Sequence, residues 1–274
     1  MTLKFRNHFF VLLFVISLCC IVTAAVVFAM AVAANAITPP TGYRLPHLMT
    51  RLPLTGYHFT ATMLSITFLV LYVPVTVFIL LRAFENTQTS EIIFFAGFLL
   101  SCLCEGIRVL IPLFAVGQSF SQLQLFCGRI LFTGRLIAPL SLVGAAILSS
   151  LDQRQDIERN FLIIITISTL SALVVPLNTA QITTACAITW GFSRLFLTVR
   201  LCLFVIAIIS FWLNGFWHEN RELQRIALAT VFVCCGYLFL TVADNFLFLG
   251  LGLMLLAAGT YKLLSTLHKL YMWN

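Results

Sequence analysis

Seven charged residues stand in stretches of this chain that are otherwise apolar: Glu105, Arg108, Arg129, Arg135, Arg194, Arg200 and Asp244. The clearest stretch is "GRILFTGRL" at 128–136, where two arginines lie six residues apart. Guanidinium groups recognise carboxylates and phosphates through paired, charge-assisted hydrogen bonds. Glu105 and Arg108 are three apart, share a helical face and neutralise each other. Asp244 is available to neutralise a second arginine, which leaves three in surplus. A surplus of guanidinium groups around a cavity suits an anion: a carboxylate, a phosphate or a lipid head group. Two blander readings stand beside this one. Arg129 and Arg194 reach water or lipid phosphates as interfacial side chains, and Asp244 with Asn245 serves a turn and a helix cap.

The elements that must hold these charges follow from composition. Of 274 residues, 61% are hydrophobic and only 9% charged, and the mean hydropathy is +1.05. A soluble domain carries about 25% charged residues, so this chain has too little polar surface to face water. Apolar runs of about 18 residues or more read as membrane spans. The net charge of +7 reflects loop topology, and no basic patch interleaved with aromatics points to nucleic acid. The nine cysteines fall mostly within apolar runs and read as small packing residues.

The first apolar run, Phe9–Ala34, ends in "VAANAITPP". It is read as an uncleaved first helix; the alternative is a signal peptide cleaved at Ala34-x-Ala36. A Pro-rich loop follows at 37–57. Further spans are expected at 59–81, 92–114, 123–151, 161–175 and 194–216, with charged loops at 152–160 and 217–225. Residues 226–264 are too long for one span and the right length for two, joined by a tight hairpin at Thr241–Asn245. The expected fold is all-α: a polytopic integral membrane helical bundle with eight transmembrane helices, or seven if the first is removed. Residues 1–36 form the first helix or signal peptide, and 37–274 a single membrane domain with a short C-terminal helix end. In that end, "TYKLLSTLHKLYMWN", Tyr271 and Trp273 suit an interfacial aromatic belt.

With eight spans and a cytoplasmic N-terminus, the cytoplasmic segments hold nine basic residues and the outer loops only Arg44 and Arg51. This bias predicts a multi-pass membrane protein with its C-terminus in the cytoplasm. Arg129 and Arg194 then sit near the outer surface, with Arg135 and Arg200 about 9 Å deeper. Glu105, Arg108 and Asp244 also fall in the outer half, where charges usually face the bundle interior and mark function.

An internal echo supports a duplication. "GRILFTGRL" (128–136) matches "SRLFLTVRL" (193–201), and "LIPL" at 110–113 matches "VVPL" at 174–177. Spans three–four and five–six read as two copies of one helical hairpin in the same orientation. No zinc-protease, Walker A, serine-hydrolase or calcium-loop motif is present. No histidine pair has a spacing that would build a metal site, and no catalytic residue or cofactor is expected.

The span count, the outward charges and the exit helix "LHKLY" resemble bacterial multi-pass, seven-transmembrane sensory input domains. In those proteins an output domain usually follows; here none is expected within the chain. The resemblance implies a sensor or receptor-like module of the bacterial cytoplasmic membrane, and the one-sided arginine cluster makes its expected ligand an extracytoplasmic anion. Its partners would be the bilayer, a small anionic ligand or lipid head group, and a separate cytoplasmic signalling protein. The competing readings are a small secondary transporter or membrane subunit of a transport complex, and an integral lipid-modifying enzyme. A transporter needs a polar path through both halves; an enzyme needs a paired acid and base near the arginines.

Overall fold

The computed structural model describes residues 3–33, 56–84, 89–114, 122–149 and 156–272. Among these, eight helices are long and apolar enough to cross a membrane. In chain order the elements are α1 (Leu3–Ala33), α2 (Phe59–Ala83), α3 (Ser90–Cys104), a 3-10 segment (Glu105–Leu110), α4 (Ile111–Phe114), α5 (Gln122–Leu148) and α6 (Ile157–Val174). A β-hairpin follows, β1 (Leu177–Ile182) and β2 (Ile188–Trp190), then α7 (Ser193–Trp217), α8 (Arg221–Val242) and α9 (Phe246–Met272). The fold is the expected all-α multi-pass bundle. Helices dominate because in hydrocarbon every backbone polar group must be satisfied within the segment.

Burial sorts the helices. In their most apolar windows, α3 with its 3-10 extension is 78% buried and α5 61%. The same measure is 17% for α1 and α6, and 22% for α7. The platform of α3 and α5 is therefore the core, and α1, α6 and α7 form the periphery. Their outward Leu12, Val22, Leu162 and Val205 are more than half exposed. So much apolar surface is incompatible with water and suits a bilayer. The final pair, α8 and α9, packs backbone to backbone, because a Cβ at Gly236 or Gly259 would collide with the facing helix.

Several boundaries differ from expectation. Helix α8 starts at Arg221, inside the expected charged loop, because the Asn220 side chain caps it by accepting from the Glu222 N–H at 2.9 Å. Helix α6 starts at Ile157 rather than Phe161. Helix α1 starts at Leu3, ahead of the apolar run that begins at Phe9, and Arg6 is buried. Tyr271, assigned to an interfacial belt, donates a 2.6 Å hydrogen bond to Glu91, a buried carboxylate in the first turn of α3. The tight turn between the last two spans falls where expected, at 243–245. The expected Pro-rich loop lies outside the described residues except at its last positions, as do Arg44, Arg51 and Trp273.

Two local features shape the site. The third span does not continue as an α-helix. Pro112 has no N–H to offer the Arg108 carbonyl, so that carbonyl accepts from the Ile111 N–H in 3-10 fashion. The expected outer loop at 176–193 is an antiparallel hairpin, with Leu177 opposite Trp190 and Ile182 opposite Ile188, and a bulge between. The repeated sequence segments place Arg200 in a buried position and Arg135 in a partly buried one. Their flanks differ, since Pro112 lies within a helix and Pro176 precedes a strand.

Gly134 sets the spacing of the platform. A Cβ there would lie 2.5 Å from Cys104 Cβ, an atom next to the α3 backbone that cannot swing aside. Gly134→Ala should therefore push α5 off α3 and destabilise the bundle by about 1–3 kcal/mol. A thermal denaturation series in detergent micelles checks this; an unchanged midpoint would show that the helices are free to separate at that point.

Candidate functional site

Four of the seven charges selected from sequence meet at one end of the bundle. Glu105 is the hub, with 0% of its surface exposed. The 3-10 winding makes it eclipse Arg108 one turn on, and Arg108 Nη1 donates to Glu105 Oε2 at 3.2 Å. From α5, Arg135 Nε donates to Oε1 at 2.7 Å and Arg135 Nη2 to Oε2 at 3.1 Å. That is a bidentate fork across two helices. The Tyr237 hydroxyl, from α8, donates more weakly to Oε1 at 3.4 Å.

The arginines find further acceptors at a helix end and at the hairpin tip. Arg135 Nη2 donates to the Thr241 carbonyl at 3.4 Å. That carbonyl is in the last turn of α8, where carbonyls lack intrahelical donors and the helix dipole is negative. Arg135 also lies 5.2 Å from the Trp190 ring centroid. Arg108 Nε and Nη2 both donate to the Ala185 carbonyl at the hairpin tip, Nε at 2.8 Å. Arg200, from α7, sits 5.9 Å from the Tyr237 ring centroid and donates from Nη2 to the Thr241 hydroxyl at 3.4 Å. Its Nε is buried with no hydrogen-bond partner, and the residue is 6% exposed. Among the described residues, three guanidinium groups thus surround a single carboxylate.

Asp244 does not join that carboxylate. It is buried, accepts from the Thr184 hydroxyl at 3.1 Å, and its carbonyl accepts from the His58 N–H. The helix cap of α9 is Asn245, whose side chain accepts from the Phe248 N–H at 2.8 Å. Arg129 is half-buried with its Nε unpartnered, and Arg194 is exposed. No hydrogen bond or ion pair among the described residues ties either to the Glu105 cluster.

Sequence reasoning missed five members of this neighbourhood: Thr184, Ala185, Trp190, Tyr237 and Thr241. Tyr237 and Thr241 had one available signal, since they are four apart in an otherwise apolar run and share a helical face. The contacts of Thr184 and Ala185 had no signal, because hairpin insertion is a tertiary event. The neighbouring Cys186 thiol is pushed up to about 11 by burial, against a downward pull from the Arg108 guanidinium. Like all nine cysteines it is free.

The cluster is closed and charged, whereas a groove of about 320 Å³ between α1 and α2 is apolar. Ile21, Ala24, Phe28, Met63 and Val70 line that groove, which offers an anion nothing. Among the described residues no three His, Cys, Asp or Glu side chains are placed to hold a metal. Comparison with protein-family models, with curated proteins and with solved structures finds no match to the chain.

Removing the hub should be costly. Glu105→Gln strands Arg108 and Arg135 without their countercharge, and breaking a buried pair from one side costs about 3–5 kcal/mol. Arg194→Gln, at an exposed position, should change stability by no more than about 0.5 kcal/mol. Unfolding of both variants in detergent micelles tests the contrast, and equal stabilities would remove Glu105 from its central role.

Proposed function

We propose that this chain is an anion-binding sensor or receptor-like module of the bacterial cytoplasmic membrane, with its arginine cluster on the extracytoplasmic side. The supporting observation is Arg200. A guanidinium that is 6% exposed, holds one 3.4 Å bond to a hydroxyl and leaves Nε unpartnered is under-satisfied. Buried donors are ordinarily all bonded, and each exception calls for an explanation. The neighbouring charge points the same way, because Glu105 already serves both Arg108 and Arg135. A bound oxyanion supplies the missing acceptor and offsets the excess positive charge.

The roles follow from geometry. Arg200 is the primary contact, through Nε and the guanidinium edge. Arg135, 11% exposed at its side chain, presents a second guanidinium, joined to Arg200 through Thr241. Tyr237 supports the Arg200 plane from below by its ring face. The nine basic residues in expected cytoplasmic segments against two outside support the orientation. A cytoplasmic partner would read the module from the basic loops and from α9.

The test is thermal stability in nanodiscs of neutral lipid. Inorganic phosphate, a small dicarboxylate, or phosphatidylglycerol added to the disc each offers the same oxyanion chemistry, and the three arms separate a soluble ligand from a lipid head group. At a hundredfold excess over Kd, binding should raise the midpoint by about 5 °C or more. Arg200→Gln should fold and lose the shift. If no arm exceeds chloride at matched ionic strength, the anion reading is wrong.

A further inference from the structure

A connection between two helices normally runs over the surface, because its backbone groups need water. The connection between α6 and α7 does the opposite. At its tip Thr184 is 4% exposed, Ala185 6%, Cys186 0% and Ala187 4%. The tip turns through Cys186 at a φ of 54° and closes on itself, with Thr183 N–H donating to the Ala187 carbonyl at 2.8 Å. Two of its carbonyls are satisfied by the bundle. Ala185 accepts from Arg108, and Thr184 accepts from the Thr62 hydroxyl at 3.4 Å.

This hairpin touches three charged residues at once. Ala185 gives Arg108 an oxygen, Trp190 covers Arg135, and the Thr184 hydroxyl reaches Asp244. A carbonyl oxygen in the fork of a guanidinium stands where a phosphate or carboxylate oxygen binds. The mechanical setting is asymmetric. Arg108 and Arg135 stand on the deeply buried platform of α3 and α5, while the hairpin joins α6 to α7, two of the least buried helices. The charges thus stand on the most buried spans, and the hairpin that covers them joins two of the least buried.

We propose that the β-hairpin is the resident occupant of the arginine cluster, and that the oxyanion held by Arg200 and Arg135 reaches Arg108 by displacing Ala185 and Trp190. Binding is then reported as movement of the α6–α7 connection. This rests on the anion reading above and adds two things: which part moves, and that the ligand presents at least two oxygens, one for Arg108 and one for Arg200 with Arg135.

Cys186 reports the tip's position. Full-length protein in neutral-lipid nanodiscs is treated with a membrane-impermeant maleimide, and modification at Cys186 is read by peptide mass spectrometry. In chloride, labelling should be slow. Saturating inorganic phosphate, or phosphatidylglycerol in the disc, should accelerate it about tenfold. Arg108→Gln removes the charged donor to Ala185 and should give about tenfold faster labelling without any anion. Thr184→Val, which leaves the Glu105 cluster intact, should act the same way and carries the test if Arg108→Gln fails to fold. A phosphate-induced rise in thermal midpoint with unchanged Cys186 labelling overturns the hairpin inference and leaves the anion reading standing. Slow labelling in folded Arg108→Gln and Thr184→Val overturns it without reference to any ligand. If neither anion source shifts the midpoint or the labelling, the anion reading fails and the displacement falls with it.

Discussion

The structure depends on one carboxylate. Glu105 has no exposed surface and accepts from two arginines on two segments, Arg108 beside it and Arg135 across the helix interface. A lone charge at membrane depth is expensive, and its cost is recovered only when geometry and hydrogen bonding are both good. The arrangement meets that condition by several devices. The 3-10 winding aligns Arg108 with Glu105, the absence of a side chain at Gly134 lets α5 close on α3, and the end of α8 offers the Thr241 carbonyl.

The same constraint accounts for the hairpin. Arg108 has more donors than Glu105 can use, and with no exposed surface it has no bulk water to replace the missing acceptor. The Ala185 carbonyl does so, and the carbonyl in turn needs a donor to be buried at all. Each buried group is thus the other's condition. Arg200 is where this reciprocity is incomplete. Its ring contact with Tyr237 and its long bond to Thr241 leave donor capacity unused. That imbalance beside a finished ion-pair network distinguishes a candidate site from a structural clamp.

Much of this was legible in the chain. Hydropathy located all eight spans, and the break at Asp244–Asn245 in a long apolar run marked the tight turn between the last two. The rarity of charges in apolar runs led to Glu105, Arg108, Arg135 and Arg200, which the fold brings together. The same criterion also selected Arg129, Arg194 and Asp244, which do not join the Glu105 cluster. A linear depth along a helix axis does not say which way a side chain faces. Tyr237 and Thr241 went unnoticed because an uncharged hydroxyl in an apolar run carries little signal, although here it organises two arginines.

The sequence by itself determined that the chain is a multi-pass helical membrane protein and which rare charges needed explanation. Both follow from transfer free energies that are local and nearly additive along a span. Only the tertiary structure decided how the charges are divided: one carboxylate shared by two arginines, a third arginine left over, and a strand connection folded inward to cover them. Those outcomes depend on angles and separations between segments about thirty to over a hundred residues apart. No periodicity within one segment encodes them.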